Sequence, residues 1–185
     1  MYVTLSWDLF IIVFFALIMT YTFIIGKKEA VKIILGTYIA IVAVQGIGSL
    51  LLRFNADLEI IWSTFGLIMN TQIISMIKLF FFVVIILFLA VRGGVQVVYL
   101  KEESSIINGA LTGIFGFATA GLLISTLLTF VAGVPLLDMA LAQSAAVSPL
   151  IQQSQLMQLM ILNQDLWFAL PAFLLIGVGF LSNRS

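Results

Sequence analysis

Trp7-Asp8-Leu9-Phe10-Ile11-Ile12-Val13-Phe14-Phe15-Ala16-Leu17-Ile18-Met19-Thr20-Tyr21-Thr22-Phe23-Ile24-Ile25 carries a single charge, at its second position, and is followed at once by Gly26-Lys27-Lys28-Glu29-Ala30. About 20 apolar residues in helical form cross the hydrocarbon core of a bilayer. This run has that length and is bounded by polar groups at both ends. It lacks the basic leader of a signal peptide, and no small-x-small cleavage site follows it, so it reads as a retained span. The short polar turn leads directly into a second apolar run, Val31 to Leu52, closed by Arg53. Two spans joined by so short a connection form an antiparallel hairpin.

The same character extends along the chain. Hydrophobic residues make up 63% of its 185 residues and charged residues 9%, with a mean hydropathy of +1.25. A soluble domain carries about 25% charged residues and could not hide so much apolar surface in a core of this size. The expected fold class is therefore all-α, a multipass transmembrane helical bundle of four to five spans with one or two interfacial amphipathic helices.

Asn55 to Glu59 interrupts the pattern. Ile60 to Lys78 is mixed, with Ser63, Thr64, Asn70, Thr71, Ser75 and Lys78 recurring along one helical side. Two readings stand: an interfacial amphipathic helix over about residues 57–72 that runs into a third span at Ile73 to Val91, or one long tilted span with a polar, protein-facing stripe. Arg92-Gly93-Gly94 ends the third span, and Lys101-Glu102-Glu103-Ser104-Ser105 is a solvated loop. A fourth span runs from Ile107 to Ala132, stopped by Gly133-Val134-Pro135. Residues 136–164 hold many Gln, Ser, Leu and Met. Ser148-Pro149 is a good helix start. Beyond it Ile151, Met157, Met160 and Ile161 oppose Gln152, Gln155 and Gln158, which predicts short helices resting on the membrane surface or on the other spans. Leu166 to Leu181, preceded by Asp165 and containing Pro171, is a short fifth span, with a re-entrant segment as the alternative.

Cytoplasmic loops are enriched in Lys and Arg. With five spans and the N-terminus outside, the inside holds Lys27, Lys28, Lys32, Arg92, Lys101 and Arg184, against Arg53 and Lys78 outside. The expected orientation is N-terminus outside and C-terminus inside.

The formal net charge is zero and both Cys and His are absent. There is no basic footprint for nucleic acid, no thiolate metal site, and neither the commonest general base nor the commonest metal ligand. No nucleophile elbow, phosphate loop or dinucleotide fingerprint occurs. No catalytic residue, cofactor or metal is expected, and the partners expected are the bilayer, a second copy or other membrane proteins. Gly109, Gly113, Gly116 and Ala120 line one side of the fourth span, where small residues let another helix approach. They read as packing within one monomer, with a homo-oligomer seam as the functional alternative. Gly46 and Gly48 do not share a face and mark a locally thin or distorted stretch. Gln45 is the most polar side chain well inside a span. It needs an interhelical hydrogen bond, or it contacts a substrate or lines a pore. Thr20, Tyr21, Thr22, Thr37, Tyr38, Thr112 and Thr119 are weaker cases. The acidic residues all fall at span ends or in loops, which argues against proton-driven transport. Lys78 is the exception among ionisable groups if the third span starts early, although a lysine near an end can snorkel to the surface.

The opening Trp7-Asp8-Leu9-Phe10-Ile11-Ile12, the basic turn Gly26-Lys27-Lys28-Glu29-Ala30-Val31-Lys32 and the start of the fourth span, Ile107-Asn108-Gly109-Ala110-Leu111-Thr112-Gly113-Ile114-Phe115-Gly116, together resemble the colicin V production protein family of small bacterial inner-membrane proteins. The likeness covers roughly residues 5–132. It departs at the first turn, which lacks the Arg-Gly-rich form, at the acidic loop before the fourth span, and at the additional C-terminal span. The resemblance implies a non-enzymatic accessory or scaffold protein linked to toxin export or envelope homeostasis, with no chemistry to carry over residue by residue. The rival reading is a small channel or a substrate-binding subunit of a transporter. A scaffold packs its polar stripe against protein or the interface and leaves no cavity near the midplane. A transporter shows a solvent-connected pocket near Gln45.

Overall fold

A computed structural model describes residues 6–64, 71–92, 105–134, 136–137, 149–152 and 154–182, with side chains over 6–54, 72–89, 108–134, 136–137, 151–152 and 154–179. The secondary structure of these residues is helical, without strands. In chain order the helices are α1 (Trp7–Ile25), α2 (Lys27–Thr64), α3 (Thr71–Arg92), α4 (Ser105–Ala132), α5 (Pro149–Gln152), α6 (Gln155–Leu162) and α7 (Gln164–Ser182). Among the described residues α1 to α4 each supply a stretch long and apolar enough to cross a membrane, and α6 with α7, bent by 61° at their junction, qualify as a fifth, broken one.

Ser6 starts α1 by accepting a hydrogen bond from the Leu9 N–H at 3.2 Å. Gly26 ends it. Its N–H returns to the Thr22 carbonyl at 2.8 Å and its φ of 81° lies in the left-handed region, where a side chain is disfavoured. That single residue turns the chain into α2 and makes the expected hairpin.

α2 departs from the sequence expectation. It spans 38 residues, about 57 Å at 1.5 Å per residue, and runs through Arg53 and the polar Asn55–Glu59 stretch to Thr64. Ser49 to Thr64 contains no Gly or Pro, so nothing there stops a helix; the polar run marks the exit from hydrocarbon, not the end of the element. The segment at 57–72 is thus no separate interfacial helix over its first half. Residues 65–70 lie outside the described residues, as do Lys101 with its loop and 138–148.

α4 is the centre of the bundle. In its apolar stretch 72% of residues are buried, against 11% in α1 and in α3. One side of α4 meets α2, α3 and α7 through Phe115, Leu122 and Phe130, packed with Ile34, Val44, Phe82 and Phe168. The other meets α1, α5 and α6 through Ile124 and Leu128, packed with Ile11, Ile151, Met157, Ile161 and Trp167. Apolar side chains on the outer surface, among them Ile24, Val42, Met76 and Phe173, are 70–78% exposed, as suits a solvent of acyl chains.

Small residues set the helix spacing. A Cβ built on Gly116 would stand 3.1 Å from the Thr22 side chain, and one on Gly113 would stand 3.3 Å from Phe23. α1 of the same chain therefore fills that face of α4. A Cβ on Gly121 would fall inside the Trp167 ring, so Gly121 is where α7 seats against α4. Gly109 has nothing within 4 Å of such an atom and takes no part. The hydroxyls of Thr22, Thr37, Thr112, Thr119, Thr126 and Thr129 each donate to the carbonyl four residues back at 2.7–2.8 Å. In an apolar medium this local bond satisfies the donor without a partner helix.

The C-terminal third folds onto the bundle. Ile151, Met157, Met160 and Ile161 are buried and Gln152 and Gln155 are exposed, so α5 and α6 rest on α1 and α4. The Asp8 carboxylate holds them: it accepts from the Ser154 hydroxyl at 2.6 Å and the Leu156 N–H at 3.1 Å, while Ser154 Oγ accepts from the Met157 N–H at 2.9 Å. Lower down, Ser125 donates to the Met160 carbonyl at 3.2 Å. The chain then bends at Asn163. Gln164, fully buried, accepts the Leu137 N–H at 3.1 Å through Oε1. The 166–181 segment thus lies in α7, which with α6 forms a helix pair bent by 61°, a broken span or a re-entrant loop. Past the bend α7 seats its Trp167 ring against Gly121 of α4.

Candidate functional site

A cavity of about 880 Å³ lies between α2, α3, the end of α4 and the start of α7. Tyr38, Ile41, Val42, Gln45 and Leu52 line it from α2, at helical spacings of three, one, three and seven that hold one face. Ile74, Ser75 and Lys78 face it from α3; Phe130, Gly133, Val134, Leu136 and Leu137 close it from α4 and the turn beyond; Asp165, Phe168 and Ala169 form the remaining wall. A second groove, of about 550 Å³ between α2 and α3, is lined only by Ile, Leu, Met and Phe and holds no polar group to orient a ligand.

Lys78 is the central feature. It sits on α3 within the apolar stretch Gln72–Leu89, so the third span begins early enough to include it. Its ammonium donates to Gln45 Oε1 at 3.2 Å. Among the described residues it makes no ion pair. The polar group Gln45 was expected to need across helices is thus a cation. The stem of Lys78 reaches Gln45 by crossing α2 at Gly48: a Cβ built there would overlap Lys78 Cε and stand 3.0 Å from Nζ. Gly48 therefore marks no distortion, since α2 is continuous through it, but a groove for a side chain. Gly46 has nothing within 4 Å.

The floor is set by Tyr38, whose hydroxyl donates to the Phe168 carbonyl. Tyr38 is about 16 Å along α2 from Lys27 and Gln45 about 27 Å. With a hydrocarbon core about 30 Å thick, the cavity extends from near mid-depth to the membrane edge opposite the Lys27–Lys28 turn. Val42 and Leu52, both on its wall, are 72% and 57% exposed, so the cavity also opens sideways onto the lipid-facing surface. The exposed Asp165 carboxylate is the second charge of the lining among the described residues.

The remaining sequence-derived positions fall elsewhere. Lys27, Lys28 and Lys32 cluster at the α1–α2 turn, where Lys32 pairs with Glu29 at 2.6 Å. Arg92 ends α3, its side chain outside the described residues. Gly113, Gly116 and Ala120 lie on the buried side of α4, away from the cavity lining. The polar series Ser63 to Lys78 belongs to no single helix: its first two members end α2, and Ser75 and Lys78, on α3, reach the cavity. Sequence reasoning missed the wall made by Asp165, Phe168, Leu136 and Leu137, which a distant segment brings in. Gly48, one turn beyond Gln45 on the same face, was the available signal for the lysine groove.

Compared with protein-family models, characterised proteins and solved structures, the chain finds no match in any of the three. The chemistry of the site rests on its residues. An ammonium in an apolar wall, held by a neutral amide, can orient an anionic or strongly hydrogen-bonding group, and the apolar remainder can take a hydrocarbon body.

Proposed function

We propose that the chain is a ligand-binding integral membrane protein, a small carrier or the substrate-binding subunit of a transporter, that holds its ligand between α2, α3, α4 and α7. One observation carries this reading: Lys78 enters the lining of a cavity of about 880 Å³ and, among the described residues, is held there by the neutral Gln45 and by no ion pair. A charge placed within a membrane span is costly and marks a functional position by default, and the volume falls within the range of about 300–1,000 Å³ typical of small-molecule pockets. A scaffold role of the kind suggested by the colicin V production likeness would bury these polar groups against protein and leave no space beside Gln45.

The basic turn at Lys27, Lys28 and Lys32 favours a bacterial cytoplasmic membrane with the N-terminus outside and the C-terminus inside. In that orientation the cavity faces the outer half of the membrane. The role proposed is non-enzymatic: Ser75 and Lys78 both face the lining, but among the described residues the Lys78 ammonium is engaged with Gln45 and no hydrogen bond joins it to the Ser75 hydroxyl.

The test is native mass spectrometry of the protein extracted from its own membranes in a mild detergent. The wild type is expected to carry a small molecule that the Lys78→Met variant loses. Identical bound species on both would overturn the assignment. Gln45→Leu is expected to weaken retention and, in proteoliposomes, to abolish flux of whatever molecule is identified.

A further inference from the structure

Resting on that reading, we infer that the ligand is a monoanionic amphiphile: a single carboxylate or phosphodiester head held by Lys78 and Gln45, with an acyl chain running toward the Tyr38–Phe168 floor. The depth of the site is the first support. Gln45 and the Lys78 ammonium lie about 27 Å along α2 from the basic turn and the floor lies about 10 Å deeper than they do. A membrane amphiphile in that half of the bilayer has the same polarity, head at the edge and chain toward the middle. The polar groups of the cavity thus lie just inside the edge where a head group resides, and its charge is drawn only a few ångströms inward, about 3 Å by this measure.

The lining is the second support. Between the head position and the floor the walls are Ile41, Val42, Phe130 and Phe168. The sideways opening beside Val42, 72% exposed, lets a chain enter from lipid without its head crossing hydrocarbon. Among the described residues a water-soluble polar substrate would find, besides Lys78 and Gln45, only Ser75, Asp165 and the tyrosine, whose hydroxyl is already engaged with Phe168.

Charge sets the valence. Lys78 is a single positive charge, since its partner Gln45 is neutral. Asp165 is the other charged residue of the lining among the described residues, whose charges there sum to zero. One negative charge on the ligand is matched by the ammonium. A second one has no cation to meet and is repelled by Asp165. A phosphomonoester or other dianion is therefore disfavoured.

The experiment uses the purified full-length chain in a non-ionic detergent, titrated by native mass spectrometry with palmitate, 1-hexadecanol, hexadecyl phosphate and phosphatidylglycerol. Palmitate is expected to bind about tenfold tighter than 1-hexadecanol, the scale of one charge-assisted hydrogen bond. Lys78→Met should erase that difference, and Asp165→Asn should raise hexadecyl phosphate relative to palmitate. Whether palmitate or phosphatidylglycerol binds more tightly separates a free carboxylate from a lipid head as the natural source. Equal binding of palmitate and 1-hexadecanol to the wild type overturns the inference without any variant, while leaving a ligand cavity in place. Failure of all four probes to bind the wild type also overturns the inference, whereas the ligand-binding reading falls only if the protein from its own membranes carries no Lys78-dependent species.

Discussion

Exchanging Gly48 for alanine, with Gly46→Ala as its neighbour control, isolates the Lys78–Gln45 contact from the rest of the fold. Both residues lie in the continuous helix α2. In helical propensity each alanine gains up to about 1 kcal/mol. At Gly46 a Cβ meets nothing within 4 Å, so that gain stands alone. At Gly48 the Cβ overlaps Lys78 Cε. The lysine end is flexible and swings away, so the clash itself costs little. What is lost is the hydrogen bond from the ammonium to Gln45, worth about 1.5–3 kcal/mol for a charged donor. The two variants should therefore differ by about 1.5–3 kcal/mol, or roughly tenfold to a hundredfold in the unfolding equilibrium. In a Lys78→Ala background there is no stem to displace and the two alanines should become equivalent. The assay is reversible unfolding in mixed micelles with rising dodecyl sulfate fraction, read by far-UV circular dichroism. Equal stabilities for Gly46→Ala and Gly48→Ala in the wild-type background would refute the groove. So would a difference that survives removal of the lysine.

Two further outcomes follow from the packing. Asp8→Ala removes the acceptor shared by Ser154 and Leu156 and should lower stability by about 1.5–3 kcal/mol; in the same unfolding assay Ser154→Ala should cost about 1 kcal/mol, and the double variant should fall short of the sum because the groups form one network. Gly121→Ala places a methyl group inside the Trp167 ring, which cannot bend away as a lysine can, and should cost about 1–3 kcal/mol with a shift in tryptophan emission; unchanged emission and stability would mean that α7 does not seat there.

The spans α1 and α4 were legible because apolar length needs no tertiary knowledge. The turn at Gly26 was equally plain, since only a short polar connection separates two hydrocarbon-length runs. The end of α2 was not. Hydropathy registers where the chain leaves lipid, whereas a helix stops where its backbone is interrupted, and between Ser49 and Thr64 nothing interrupts it. Gln45 and Lys78 were each conspicuous in the sequence as polar groups in apolar surroundings, but 33 positions separate them and no local pattern pairs them. Asp165 and Phe168 were harder still: they lie just past the bend between α6 and α7, where α7 seats against α4 with an indole ring over Gly121. Close approach of that kind is a property of two surfaces, and a glycine alone does not name its partner.

The bend at Asn163 also bears on how the molecule is made. The bend carries the buried amide of Gln164, whose partner is the Leu137 N–H just past the end of α4. Such a segment has no stable state surrounded by acyl chains alone. The final thirty or so residues must therefore wait for α1 and α4 to be joined before they can settle, and biogenesis runs in the order of synthesis. A truncation after Ala132 should insert and persist, whereas the C-terminal piece expressed by itself should be degraded.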